Sequence, residues 1–490
     1  MIPVVDLFAG PGGLGEGFSA FKNNSKFRIV LSVEKEKFAC ETLILRSFFH
    51  QFRKKPKSYY DYLQGKITKE SLYRTFPKQF KNACDSVMNL ELGSGRNSLT
   101  VSNKIKTLIK KNSHWLLLGG PPCQAYSVAG RSKIKNLKGK EIFEKDNRHT
   151  LYKQYLRIIS DHGPSVFIME NVKGLISSKI NDRNTLTDIL NDLKYPDRVF
   201  KNKEKKEYNL YSLNKKNDLF EDDFLVNCSR HGIPQRRERL FIIGVRKDIN
   251  IDKITPLEHE KEIPLEKVIS NLPKIRSLIS KASDSHENWL KLFDEFKKDI
   301  SKTFNFNIVK SKKIKNLGAN YIKCKLPKIE YKSDWYEDHR IEGVLNHETR
   351  KYISDDIKRY IFSSLYAQKN NHSPKITDFP KFLYPKHKNI MERRNKKIIF
   401  NDRFRVQLRN KPATTITSHI SKDGHYYIHY DASQARSFSV REAARIQTFP
   451  DNYYFEGNKT QQYIQVGNAV PPLIAKKIAS IIYKDIFSRF

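Results

Sequence analysis

The stretch from Trp115 to Pro122, WLLLGGPP, constrains the fold of this chain more than any other. Trp115 to Leu118 are four consecutive large apolar residues, which predicts a short strand buried on both faces. Gly119-Gly120-Pro121-Pro122 must end that strand abruptly. Proline has no N–H to give a ladder, and glycine accepts turn dihedrals. Cys123 follows at once. A strand that runs into such a corner suits an open α/β sheet, whose ligands gather at the carboxyl ends of strands. A lone cysteine is ordinarily a buried structural residue. On this corner it is a candidate nucleophile.

The amino terminus carries the matching half. Pro3 to Phe8 is an apolar strand, and Ala9 to Phe18, AGPGGLGEGF, is a glycine-rich turn that opens a helix. The spacing of Gly10, Gly12, Gly13, Gly15 and Gly17 does not meet the GxGxxG dinucleotide pattern cleanly. A second strand, Arg28 to Val33, ends in Glu34, about 20 residues beyond the glycines, where a carboxylate can accept from ribose hydroxyls. This is the pattern of an adenosine-binding βαβ unit.

A third strand, Ser165 to Met169, ends in Glu170-Asn171-Val172 and follows a helix predicted over Asn147 to Ser160. One helical crossover makes the strands of Cys123 and Glu170 parallel neighbours, so thiol and carboxyl group fall at the same sheet edge. Between them, Gly130, Arg131, Lys133, Lys135, Lys138 and Lys140 make a basic loop suited to phosphates. Gln235-Arg236-Arg237-Glu238-Arg239 lies between apolar strands at Phe224 to Asn227 and Leu240 to Val245. Arginines beside a strand can fork onto a carbonyl and a carboxylate.

GGPPCQAYS resembles the nucleophile motif of the C5-cytosine DNA methyltransferases, whose core is Pro-Cys-Gln. Asp6-Leu7-Phe8-Ala9-Gly10 with Gly12-Gly13 is similar to that family's S-adenosylmethionine motif, and GIPQRRERLFIIGVR to its arginine motif. Arg409 to Thr417, SFSVREAARIQTFPDNY and Gly467-Asn468-Ala469-Val470-Pro471 resemble its later blocks, so six blocks follow in family order. The resemblance implies S-adenosylmethionine as cofactor, held by Asp6, Phe8, Gly10, Gly12, Gly13, Glu34, Pro122, Leu151 and Asn468. Phe8 would stack on the adenine and Glu34 bind the ribose. It implies Cys123, Glu170, Arg237 and Arg239 as catalytic residues, with Arg239 on the cytosine O2 and bracing Glu170. Gln124, Ser127, Arg131 and Lys133 are the implied DNA contacts. Lys35 stands where the family often has an aromatic, and the acidic residue expected near the adenine amino group is either Asp85 or Glu91.

At 490 residues the chain exceeds the roughly 250–300 that one core supports. The expected fold is α/β, a doubly wound, mostly parallel sheet of the S-adenosylmethionine-dependent methyltransferase type with a second, smaller target-recognition domain. Residues 1–250 are expected to form the catalytic and cofactor-binding domain, with a basic, largely solvated insertion at about 46–111. Residues 251–435 would form the recognition domain, His339 to Arg350 and Arg393-Arg394 being candidate base contacts. Residues 436–490 would return to the catalytic domain, Ser439 and Glu442 capping a helix over Val440 to Thr448.

A formal charge of +38 points to a polyanionic partner, duplex DNA on the family reading. Five scattered cysteines with no CxxC pair suit a reducing compartment. His347-Glu348-Thr349-Arg350 begins as a zinc motif would, but position 351 is lysine, so no metal is implied. With no apolar run of about 18 residues and no leader, the expected location is the bacterial cytoplasm. A monomer is expected, with a cognate restriction endonuclease acting separately. Two rivals stand beside this reading: a catalytically silent DNA-binding protein on the same fold, and a tRNA cytosine methyltransferase.

Overall fold

The apolar runs of the first half of the chain become the strands of one sheet. In this computed structural model residues 1–93, 95–109, 114–122, 151–180, 183–200, 206–215, 219–301, 303–306, 308, 313–385 and 401–490 are described. The strands are β1 (Ile2–Leu7), β2 (Phe27–Glu34), β3 (Val87–Asn89), β4 (Leu116–Gly119), β5 (Val166–Val172), β6 (Tyr208–Tyr211), β7 (Leu225–Asn227) and β8 (Glu238–Arg246). Their order is β3-β2-β1-β4-β5-β8-β6, with β7 beside β8. From β3 to β5 every pairing is parallel, and β8 runs antiparallel to β5, β6 and β7. The order reverses between β1 and β4, so the ends of those two strands flank the switch point where such sheets bind ligands.

Alternation along β1 assigns the two faces. Val5 and Leu7 join Leu31, Leu117, Phe167, Leu156 and Ile159 in one core, the last two from the helix Leu151–His162. On the opposite side the helix Gly13–Ser19 brings Gly15 against Asp6 and Ile29, and it packs on the helix Pro472–Asp485. Both faces are therefore covered, which is why the strands read as near-continuous apolar runs.

The chain separates into two compact units, the first being Met1–Pro56, Lys69–Lys261 and Ala469–Phe490, the second Lys57–Thr68 and Glu262–Asn468. The second is built around the helices His286–Ile300 and Ser354–Asn370, whose Trp289, Phe293, Phe296, Ile357, Tyr360 and Phe362 form a core with Phe379 and Phe404. Ser439 caps the helix Val440–Ile446 as its spacing requires: Glu442 N–H donates to Ser439 Oγ at 3.2 Å, and Ser439 N–H donates to Glu442 Oε2 at 2.7 Å.

Two details differ from the sequence expectation. The segment 46–111 is not a solvated insertion: it supplies β3 and the helix Gly95–Ile109, and it buries Phe48, Phe49, Tyr59, Tyr60 and Leu72. Lys57, Lys78, Lys81 and Lys106 are exposed on its helices, and such lysines dominate the composition although Phe48, Phe49, Tyr59 and Tyr60 face inward. Residues 57–68 belong to the second unit, where Tyr60 donates to Asp338 at 2.9 Å and Tyr62 to Glu456 at 2.6 Å. The return to the first unit begins at Ala469 rather than at 436, because the helix Val440–Ile446 is anchored on partners of the second unit. Arg441 donates to Leu345 O and Arg445 to Val268 O.

Candidate active site

Five parallel strands deliver their carboxyl ends to one edge, and the singled-out residues collect there: Asp6 in the last two residues of β1 and Phe8 to Gly13 after it, Glu34 at the end of β2, Gly120 to Pro122 after β4, and Glu170 near the end of β5. Phe8 has φ 55, a conformation a bulky side chain adopts at a cost of order 1–2 kcal/mol. Such strain concentrates at ligand clamps. The turn is closed by Gly12 N–H donating to Ala9 O at 2.9 Å, with Gly12 itself at φ 87.

Glu34 is held by three backbone amides. Gly10 N–H donates to its Oε2 at 2.8 Å, while Lys35 and Glu36 N–H groups donate to Oε1 at 2.9 Å each. Asp6 is the opposite case. It is 1 % exposed, neither carboxylate oxygen has a hydrogen-bond partner among the described residues, and burial together with the charge of Glu34 pushes its pKa up to about 7. A buried carboxyl group without a partner, a strained aromatic and a Glu34 fixed in place form a donor-and-acceptor set that fits a polar adenosine cofactor. Gly13 serves another purpose: a Cβ there would stand 2.1 Å from Val470 O, so its bareness admits the returning carboxyl-terminal segment. Leu151 begins its helix half-buried, beside Gly93. Asn468 ends the helix Lys459–Asn468 in the second unit, exposed.

The reaction-centre residues meet across β5 and β8. Arg239 Nε lies 2.9 Å from Glu170 Oε1, both side chains largely buried. Glu170 Oε2 lies 3.0 Å from where a Cβ on Gly120 would be, so the carboxylate sits over the corner that follows β4. Asn171, which sequence reasoning passed over, donates its Nδ2 to Pro121 O at 3.2 Å and ties that corner to β5. Arg237 is 1 % exposed, and its carbonyl accepts from Cys228 N–H at 2.9 Å. Cys123, Gln124, Ser127, Arg131 and Lys133 lie outside the described residues, as do Arg393 and Arg394.

Burial raises every described thiol. Burial pushes Cys40 and Cys228 up to about 12 and also raises Cys84 and Cys324. For Cys228 the raising effect of burial exceeds the lowering by Arg237 and Arg239. Further from the edge, Glu16 accepts from Arg46 Nε at 2.8 Å and lies 2.8 Å from His50 Nε2. That buried cluster carried no sequence signal, since its members are 30 and 34 residues apart.

Within His339 to Arg350 the structure engages most of the candidates internally. His347 places Nδ1 2.7 Å from Ser439 Oγ and Nε2 2.8 Å from Pro273 O, so both ring nitrogens are used. Arg350 donates to the carbonyls of Ile420, Ser421 and Lys422, and Arg340 forks onto Asp338. His339 remains exposed. Asp85 ends a helix exposed and Glu91 pairs with Lys35, while Asn89 is the residue in register with Glu34.

Comparison with known proteins fits this arrangement. Residues 99–484 match the model of the C-5 cytosine-specific DNA methylase family. The type II methyltransferase M.Bpa9945I of Bacillus paralicheniformis is 31% identical over 507 residues, covering 99% of each chain. The DNA (cytosine-5-)-methyltransferase M.ApeKI of Aeropyrum pernix is 27% identical over 405 residues, covering 75% of this chain and 80% of that one. In fold, the chain is similar to a DNA modification methyltransferase encoded within an E. coli prophage, with TM-score 0.52, 18% identity and 99% of both chains covered.

Proposed function

The chain belongs to the C-5 cytosine-specific DNA methylase family, and on that premise we propose that Cys123 attacks C6 of a cytosine flipped out of duplex DNA. The activity is that of a DNA (cytosine-5-)-methyltransferase of the restriction–modification type, and the fold is that of the S-adenosylmethionine-dependent enzymes. C5 of cytosine is a weak nucleophile, and the stacked duplex hides it, so the base must leave the stack before any chemistry.

Addition of the Cys123 thiolate to C6 forms a C–S bond and moves ring electrons toward C5. Glu170 supplies a proton to N3 as that charge develops. Arg239 holds Glu170 in place and presents its remaining guanidinium donors to the base carbonyl, with Arg237 beside it. S-adenosylmethionine, when bound, supplies the methyl group on a sulfonium that departs as a neutral thioether. Loss of the C5 proton, expulsion of the Cys123 thiolate and return of the N3 proton to Glu170 then restore the aromatic ring. Asp6, Phe8, Gly10, Gly12, Glu34, Pro122 and Leu151 line the cofactor side in this reading. Gly13 serves it indirectly, through the carboxyl-terminal segment.

The carrying observation is the Arg239–Glu170 pair over Gly120, three residues before Cys123 in the chain. The raised pKa of each described cysteine supports the choice of the remaining thiol. The second unit would read the DNA site, and the basic loop that includes Gln124, Ser127, Arg131 and Lys133 would contact the flipped nucleotide and its phosphates. We place the enzyme in the cytoplasm as a monomer that protects host DNA, its endonuclease acting separately. No helix among the described residues is long and apolar enough to cross a membrane.

Duplex DNA carrying 5-fluorocytosine at the target tests the adduct. Fluorine at C5 cannot leave as a proton does, so elimination stops and a covalent complex accumulates. The chain should form a denaturant-resistant complex with that DNA in the presence of S-adenosylmethionine, and Cys123→Ala should form none. A complex that persists in the variant would assign the nucleophile elsewhere.

A further inference from the structure

We propose that Asn89 is a positioning residue for the cofactor, its side-chain amide fixing the turn that holds Glu34 in its ribose-binding pose. The inference rests on the reading of Glu34 as the ribose ligand. β2 and β3 are parallel neighbours with Glu34 and Asn89 in register, so the two side chains start from adjacent strand ends. Beyond Glu34 the chain must turn sharply, because its carboxylate accepts from the amides of Lys35 and Glu36, the next two residues. At that turn Glu34 O keeps one strand donor, Leu90 N–H at 3.0 Å, while the chain leaves the ladder at Lys35.

Asn89 adds a side-chain donor to both carbonyls. Its Nδ2 donates to Lys35 O at 2.9 Å and to Glu34 O at 3.2 Å, and lies 3.3 Å from Cys40 Sγ. The Cys40 thiol donates to Glu34 O at 3.2 Å, and Leu90 N–H donates to the same oxygen at 3.0 Å. Burial, with Glu34 nearby, pushes Cys40 up to about 12, so the thiol keeps the proton it donates. One amide therefore bridges two successive carbonyls of the turn, and the turn aims the Glu34 carboxylate at Gly10. Aspartate in its place would keep the shape, lose both donations and set a carboxylate against two carbonyl oxygens.

Calorimetric titration of the full chain with S-adenosylhomocysteine, on wild type, Asn89→Asp, Glu34→Gln and the double variant, tests this. Asn89→Asp should weaken binding about tenfold. In the Glu34→Gln background it should add less than about twofold, because the two act through one group. With DNA, Asn89→Asp should raise KM for S-adenosylmethionine and leave kcat at saturation near wild type. Cys40→Ala removes one donor from the same carbonyl and should show a smaller loss with the same dependence on Glu34, which covers an Asn89→Asp protein that fails to fold. Losses that multiply in the double variant, or wild-type affinity in Asn89→Asp beside a weakened Glu34→Gln, would overturn the proposal alone. Wild-type affinity in Glu34→Gln would overturn the ribose reading and the proposal with it.

Discussion

Arg239 Nε stands 2.9 Å from Glu170 Oε1, although neither is the other's register partner. On the antiparallel pair β5 and β8, Arg239 faces Val172 and Glu170 faces Phe241, so the guanidinium reaches two residues along the neighbouring strand. Its own strand holds it there: Arg239 Nη1 also donates to Glu238 O at 2.7 Å. The carboxylate is thus fixed by a strand-borne side chain rather than by a loop, which suits the proton donor to N3 proposed above.

Glu170→Gln keeps the size and loses the exchangeable carboxyl proton. Single-turnover methyl transfer should fall by about 10²–10⁴-fold with S-adenosylhomocysteine affinity unchanged. Arg239→Ala removes a charge-assisted bond worth about 1.5–3 kcal/mol and should slow the same step. An unchanged rate in Glu170→Gln would remove its role as the acid.

The thiols should separate cleanly. Cys228→Ala should keep methyl transfer within a few-fold of wild type, although Cys228 lies within electrostatic reach of Arg237, Arg239 and Glu170. Cys123→Ala should abolish transfer and still retard DNA in a gel. Loss of activity in Cys228→Ala at unchanged melting temperature would place that thiol in the reaction.

Gly13→Ala should destabilise the fold. Alanine gains up to about 1 kcal/mol of helix propensity over glycine. The 2.1 Å approach of its Cβ to Val470 O forces the carboxyl-terminal segment to shift, and such overpacking costs about 1–3 kcal/mol. Packing wins, and urea denaturation should show a lower midpoint. At Gly10 the same substitution meets open space but a φ of 55, so it should cost only about 1–2 kcal/mol. A stabilised Gly13→Ala would contradict the packing described for this segment.

Asp6 gives the cofactor-free protein a pH signature. Its pKa rises from 3.8 to about 7, so between those values the folded chain keeps a proton that the unfolded chain releases. The group's contribution to stability is complete below 3.8 and is lost as pH rises through about 7. Denaturation of wild type against Asp6→Asn from pH 5 to pH 8 should show wild type losing stability relative to the variant. A constant difference across that range would mean that Asp6 titrates as an ordinary carboxyl group.

Much of the sheet was legible because strands buried on both faces advertise themselves as apolar runs. Pro3 to Phe8, Trp115 to Leu118 and Ser165 to Met169 emerged as β1, β4 and β5 within a few residues at either end. The Ser439–Glu442 cap was legible for a local reason, since both partners lie within one helical turn. What escaped depends on distance along the chain. Asn89 sits 55 residues from the carbonyl it caps, and Asn171 sits 50 residues from Pro121, so only the register of the sheet brings them together. Asp6 was legible as a motif member, but the burial that raises its carboxyl group was not. The burial of the aromatics in 46–111 was masked by the lysines that surround them.

Methyl transfer to C5 through Cys123 is read at the product by base-resolution mapping of 5-methylcytosine. Plasmid DNA would be recovered from cells expressing wild type or Cys123→Ala. Methylation should appear at one short sequence motif in wild-type cells and none above background in the variant. Methylation that survives in Cys123→Ala, or its absence from wild-type cells that make the folded protein, would contradict it.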